Sequence, residues 1–241
     1  LVVLSAVFIL PFLWLVSTSL KPDAEIFREG IHLLPDRPTL SHYLKGIESY
    51  NFPHFLKNTA VICFLSVLGT LLSCSLAAYG FAMVNWRGRE ISFYVLLATM
   101  MLPPQVTMVP VFMIFRELGW INTILPLVGP CFFGNAFYIF LLRQFYLSIP
   151  RDLIDAARID GCHDFRIWAN IVLPLSKPAL ATVGLFAFLY AWNDFLGPLI
   201  YLMDEDKYTL SLGLAMLRGQ YFSDWGSLMA VSALMVIPII I

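Results

Sequence analysis

Long charge-free apolar runs alternate with short polar connections along this chain. The runs are Leu1–Leu20, Asn58–Trp86, Ile91–Phe115, Leu118–Leu142, Pro178–Asn193 continuing past Asp194 to Met203, and Trp225–Ile241. A helix needs about 20 apolar residues to cross a bilayer core. Backbone groups in lipid must be bonded internally, which favours helices, and the runs lack the polar/apolar alternation of outer-membrane strands. The pattern therefore predicts an all-α, polytopic membrane protein with six transmembrane helices, the last cut short. Leu1–Ser19 has the look of a signal peptide, but Thr18-Ser19-Leu20-Lys21-Pro22 stands at its end rather than a small-residue cleavage site. A retained helix is the better reading. The chain opens without Met and closes inside an apolar run, so both natural ends are expected to lie beyond it.

Packing signals sit inside the runs. Gly69, Ser73 and Ala77 repeat at four-residue spacing, as do Ser66, Thr70, Cys74 and Ala78. Small residues at that spacing let helices approach closely in lipid. Pro103, Pro104, Pro110, Pro126 and Pro130 crowd the third and fourth runs, where each removes an amide donor and bends or breaks a helix.

Four connections matter. Lys21–Lys57 and Asp204–Asp224 are polar. Arg87-Gly88-Arg89-Glu90 is a tight loop. Ser148–Lys177 is long and charged. Alternation of six spans puts the last two on one side. Seven of the fifteen Lys and Arg residues lie there and eight on the other, so a raw count does not orient the chain. Weighting short loops places Arg87, Arg89 and the Ser148–Lys177 loop in the cytoplasm, against Arg116 on the far side.

Composition narrows the function. Only 13% of residues are charged and 59% are apolar, too little charge to coat a soluble surface of this size. A net charge of −1 gives no field for nucleic acid. Cys63, Cys74, Cys131 and Cys162 form no CxxC pair and read as core thiols. His32, His42, His54 and His163 lack metal-ligand spacing and read as solvated loop residues, so no metal is expected. Trp86, Trp120, Tyr190 and Tyr201 near span ends read as interface anchors. No GxxxxGK[ST] appears, so the chain does not cradle ATP phosphates in that manner. No cluster of titratable groups supports an embedded enzyme.

The segment Ser148–Pro178 reads as two short helices with a break between them. Ser148 can cap the first, with Pro150 and Asp152 in its first turn, and Asp155 can pair with Arg158 three residues on. Gly161 supplies a left-handed residue to end it. Asp164 can cap the second, which carries Phe165, Trp168 and Ile171 on one face, and Pro174 and Pro178 then turn the chain. Ala156 and Ala157 give the first helix a flat face that fits a groove on another protein.

Asp155-Ala156-Ala157, then Asp160-Gly161, then Ile171-Val172-Leu173-Pro174 resembles the EAA loop of ABC importer permeases. The spacing matches at every element, with Asp155 standing where Glu is usual. Thr18-Ser19-Leu20-Lys21, Leu102-Pro103-Pro104-Gln105, Leu118-Gly119 with Asn122-Thr123, and Trp192-Asn193-Asp194-Phe195 extend the resemblance over nearly the whole chain. It is nearest to the second permease subunit of carbohydrate-uptake importers. The resemblance implies one transmembrane domain over residues 1–241, with the coupling loop at 148–178. It implies a bacterial-type inner-membrane location and no catalysis in this chain. The partners it implies are a second related permease, two ATPase subunits carrying ATP and Mg, and an extracytoplasmic solute-binding protein. Asp194 lies within an apolar run beside Trp192 and Asn193, and two readings stay open: it lines the translocation path, or it bonds a neighbouring backbone or helix. An ion-coupled carrier is the rival, and it would need more intramembrane acids than Asp194.

Overall fold

A computed structural model describes residues 2–28, 32–49, 51–220 and 224–240, and every regular element among them is helical. Leu1 and Ile241, the outer ends of the first and last apolar runs, fall outside the described residues. The helices are α1 (Val2–Ser19), α2 (Asp23–Ile26), α3 (Ser41–Ser49), α4 (Phe52–Ala82), α5 (Arg89–Thr99), α6 (Pro104–Glu117), α7 (Leu125–Val128) and α8 (Ala136–Tyr146). They continue with α9 (Arg151–Ile159), α10 (Asp164–Ile167), α11 (Leu173–Leu175), α12 (Lys177–Asn193), α13 (Leu196–Tyr201), α14 (Leu210–Gln220) and α15 (Trp225–Ile240). Two compact units emerge, residues 1–59 with 204–241, and residues 60–203.

Two helical stretches are long and apolar enough to cross a membrane, Phe52–Ala82 and Leu125–Tyr146, the second including a 3₁₀ stretch at Gly129–Phe133. Two further runs are broken rather than straight. Arg89–Thr99 meets Pro104–Glu117 at 98°, and Asp164–Leu175 meets Lys177–Asn193 at 84°. Val7–Ser19 and Trp225–Ile240 are shorter apolar helices. The third apolar run is therefore not one helix. Pro103 and Pro104 lack amide donors and the chain restarts with Pro104 in the first turn of α6. The fourth run is interrupted too. Gly134 has φ +90, a conformation that favours glycine, and Asn135 then caps α8 by accepting from the amides of Phe137 at 3.0 Å and Tyr138 at 3.4 Å. The two polar connections also hold more structure than their composition suggests, since α2 and α3 lie in one and α14 in the other.

In the first unit, α15 packs on α1, α3 and α14. His42 is buried there, not solvated as its loop position suggested. Its Nε2 lies 2.9 Å from the Lys21 carbonyl and 3.8 Å from Asp23, and its Nδ1 lies 4.0 Å from Asp224. Gly226 leaves space that a side chain would fill, a Cβ there meeting the imidazole at 2.3 Å. Asp224 caps α15 by accepting from the Ser227 amide at 3.1 Å and takes the Lys45 ammonium at 2.6 Å. Burial pushes the Asp224 carboxyl up, but Lys45 and Ser227 together outweigh it and hold the group below its ordinary value. Asp23, His42 and Asp224 present ligand atoms within 4.8 Å of one another, a grouping that sequence spacing did not show. Lys45 already supplies the positive charge at Asp224, so the cluster is accounted for as a tie among α2, α3 and the start of α15.

The second unit has its core where α4, α8, the 148–176 hairpin and α12 meet. Cys74, Ala78, Leu142, Tyr146, Ile167, Val172 and Val183 are fully buried there. The two small-residue rows of α4 face different neighbours. Ser66, Thr70, Cys74 and Ala78 are buried, with the Cys74 thiol accepting from the Asn135 amide at 3.2 Å. Gly69 lies against Phe132, which a Cβ would meet at 2.7 Å, and Ser73 donates to the Cys131 carbonyl at 2.8 Å. Close approach of the 3₁₀ stretch to α4 is what the second row provides. Tyr201 is buried against Phe112, Phe115 and the neighbouring Trp120, so it belongs to an aromatic cluster rather than an interface belt.

Candidate functional site

The hairpin forms because its sequence supplies an end for each short helix. Pro150 precedes α9 and makes no side-chain cap, while the Ser148 hydroxyl donates back to Phe145 instead of capping forward. At the other end of α9, the Gly161 amide bonds the Arg158 carbonyl and the Cys162 amide bonds the Ala157 carbonyl, both at 3.0 Å. Gly161 has φ +79, as the spacing predicted, and the pair of bonds closes a Schellman turn. The cap of α10 is His163, whose Nδ1 accepts from the Arg166 amide at 3.4 Å. Asp164, expected in that role, points elsewhere. Its Oδ1 accepts from Arg158 at 3.0 Å and from the Tyr79 hydroxyl at 2.9 Å. Hydrogen bonding by Arg158 is the main reason the Asp164 carboxyl is held below its ordinary value, against partial burial, and the same bond raises Arg158.

α9 divides cleanly by face. Ile154 and Ala157 are buried in the chain's own core, while Leu153, Asp155, Ala156 and Ile159 are exposed. Ala157 is therefore not on the free face where the Ala-Ala pair had placed it, because positions 154 and 157 share one side of a helix. Asp155 pairs with Arg158 at 3.7 Å, and Asp160 ends the helix, exposed, with its amide on the Ala156 carbonyl. Ile159 is 87% exposed and Phe165 59% exposed, so Phe165 does not share the buried face with Trp168. That face is Ile167, Trp168 and Val172.

From Trp168 to Val172 the helix widens to a π turn, with Ile171 and Leu173 half-buried beside it. Pro174 lies in the first turn of α11, and the buried Ser176, which sequence reading missed, donates to Val172 at 2.6 Å where the chain bends into α12. The loop's location is fixed by two arginines. Arg158 donates to the Met83 carbonyl at 3.2 Å, and Arg143 donates to the Phe81 carbonyl at 3.2 Å while pairing with Glu90. The hairpin and the Arg87–Glu90 loop thus sit at the same end of α4, as alternation of spans required.

Trp192, Asn193 and Asp194 mark a second interruption. Trp192 is buried, and Asn193 donates to the Leu189 carbonyl at 2.8 Å. α12 ends at Asn193, and Asp194 accepts from the Gly197 amide at 3.0 Å in the first turn of α13. Gly197 is required there, since a Cβ would lie 2.4 Å from the Asp194 carboxylate. Asn122, at φ +62, fastens the far end of α13. Its amide bonds the Tyr201 carbonyl at 2.7 Å and its side chain accepts from Met203 at 3.0 Å.

These features define a helical membrane protein with a charged hairpin anchored beside one end of a spanning helix. The chain belongs to the family described as binding-protein-dependent transport system inner membrane component, which matches residues 51–241. It is 35% identical over 242 residues to the arabinooligosaccharides transport system permease protein AraQ of Bacillus subtilis, covering 99% of this chain and 85% of the relative. It is 32% identical over 246 residues to the trehalose/maltose transport system permease protein MalG of Thermococcus litoralis, covering 100% and 87%. Among solved structures, a bacterial ABC transporter involved in the import of the acidic polysaccharide alginate is similar with a TM-score of 0.88. Identity to that chain is 26%, covering 99% of this chain and 91% of that one. The protein is thus an inner-membrane permease component of an ABC importer and acts within a transporter complex.

Proposed function

We propose that the chain is one of two related permease subunits enclosing a pathway for a sugar or oligosaccharide. Residues 1–241 act as one transmembrane domain of six crossings, two of them broken and two short. The hairpin at 148–178 docks through Asp155, Ala156, Asp160 and Gly161 on one of two ATPase subunits. ATP and Mg bind on those subunits, and a solute-binding protein delivers solute from outside. ATP binding closes the ATPases, the hairpins move with them, and the path opens outward. Hydrolysis resets it.

One observation carries the coupling role: the hairpin keeps Leu153, Ile159 and Phe165 exposed among charged residues while its other face is locked in the core. An apolar anchor within a polar rim is what a groove on a partner recognises. The sugar class is supported by the named substrates of the AraQ and MalG relatives.

The test is capture through a tag on this chain. The ATPase should come with it, and the reconstituted complex should hydrolyse ATP faster with binding protein loaded with arabinotriose or maltotriose. Uptake driven by an ion gradient without ATP would overturn the reading in favour of an ion-coupled carrier.

A further inference from the structure

We infer that Tyr79, Arg158 and Asp164 form a brace that makes the hairpin and the end of α4 move as one body, with Asp164 as its hub. This rests on the coupling role proposed for the hairpin. Asp164 Oδ1 receives both the Tyr79 hydroxyl from α4, at 2.9 Å, and the Arg158 guanidinium from α9, at 3.0 Å. The same Arg158 nitrogen donates at 3.2 Å to the carbonyl of Met83, just past the last turn of α4. Carbonyls at a helix end lack intrahelical partners and carry partial negative charge, so a guanidinium is well placed there. Three elements, α4, α9 and α10, are stitched through one carboxylate oxygen and one guanidinium.

Packing alone would not do this. α9 has nine residues and α10 four, too short to hold their own geometry. The apolar contacts of Ile154 and Ala157 are non-directional and permit sliding. Charge-assisted hydrogen bonds are directional and about twice as strong as neutral ones. The Schellman turn at Gly161 fixes the angle between α9 and α10. The opposite end of the hairpin is built differently: a π turn at Trp168–Val172, then the 84° bend into α12. π turns are irregular points in a helix and often mark functional sites. A push on the hairpin is therefore delivered stiffly to α4, and the bend into α12 takes up the change.

The experiment uses the whole complex purified with its ATPase subunits. Spin labels go on Arg87→Cys, beyond α4, and Arg166→Cys, in α10, both exposed. Cys131 and Cys162 are replaced by Ser. The inter-label distance is measured without nucleotide and after trapping with ATP and vanadate. With the brace intact, one narrow distance should persist in both states. Asp164→Ala should shift and broaden it in the trapped state while the ATPase stays bound, and Asp164→Glu should restore it. Tyr79→Phe, which removes one donor and little volume, should broaden it less, and it carries the test should Asp164→Ala fail to assemble. A wild-type distance that changes on trapping, or variants that keep the narrow distance in both states, would overturn the brace. Failure of the wild-type chain to retain an ATPase would instead count against the coupling role itself.

Discussion

Asp164 and Asp194 are both carboxylates at a helix boundary in a protein with few charges, yet their partners differ in reach. Asp164 binds a hydroxyl 85 positions earlier in the chain and a guanidinium six positions earlier. Asp194 binds the amide three positions later. The first joins elements that are remote in sequence. The second shapes one bend, covering an amide that the first turn of α13 would otherwise leave without an intrahelical partner. A charge inside an apolar run thus makes a local bond at Asp194, whereas Asp164 in the hairpin also reaches a partner on another helix.

The sharpest way to break this comparison is to place a charge on each face of α9. Ala157→Asp puts a carboxylate into the core beside Ile154 and Ile167 without a partner, and should cost about 3–5 kcal/mol, enough to abolish folded subunit. Ala156→Asp lies on the exposed face and should leave the detergent melting temperature nearly unchanged while releasing the ATPase in a pull-down. Equal losses of folded protein from both would show that the face division of α9 does not hold.

The bend at Asp194 is tested next. Gly197→Ala brings a methyl to 2.4 Å from the carboxylate and 2.9 Å from Leu127, and should destabilise by roughly 1–3 kcal/mol through overpacking. Asp194→Ala, which removes the acceptor, should cost about 1 kcal/mol, as other lost caps do. Asp194→Asn keeps an oxygen for the Gly197 amide and should melt like the parent. If Asp194→Asn melts normally but uptake of the loaded solute falls, the carboxylate also serves the path. If uptake is unchanged, the local role suffices.

What the sequence made legible follows the same division. The hairpin's helix–turn–helix form, its Gly161 turn and the Asp155–Arg158 pair depend on neighbours within a few residues, and spacing encodes such contacts. The all-helical membrane character follows from run length and hydropathy. The break at Pro103 and Pro104 was signalled by residue type, but its angle was not, because a bend depends on what packs around it, and the turn at Gly134 went unread. The partners of Asp164, the burial of His42 and the burial of Tyr201 all depend on residues distant in the chain, to which periodicity is blind. Two rules of local chemistry also competed at the start of α10. Asp is a good cap, but once Arg158 and Tyr79 engage Asp164, the preceding His163 takes the cap.

Gly161 offers a smaller effect of purely local origin. No atom lies within 4 Å of a Cβ added there, so Gly161→Ala meets no clash. Its cost is backbone strain at φ +79, about 1–2 kcal/mol. A melting shift of that size is expected. Gly161→Asn, which tolerates the left-handed region better, should recover part of it. An unchanged melting temperature for Gly161→Ala would mean that the turn relaxes without cost.

The smallest expected effect is that of pH on the brace. Asp164 is depressed first by the Arg158 hydrogen bond, then by the Tyr79 hydroxyl and the nearby charges of Arg158 and His163, with burial opposing. A carboxyl whose folded value is depressed adds stability that is complete above its ordinary value, about 3.9, and is lost only as pH falls through the folded value. The brace should therefore be indifferent to pH between about 5 and 8, a range in which Asp164 stays ionised. The label distance between Arg87→Cys and Arg166→Cys should stay constant across that range and loosen only in stronger acid. A transition within that range would mean that a group other than Asp164 governs the joint. Replacing His163 with Asn, which can still accept the Arg166 amide as a cap, should leave the distance intact across the same range.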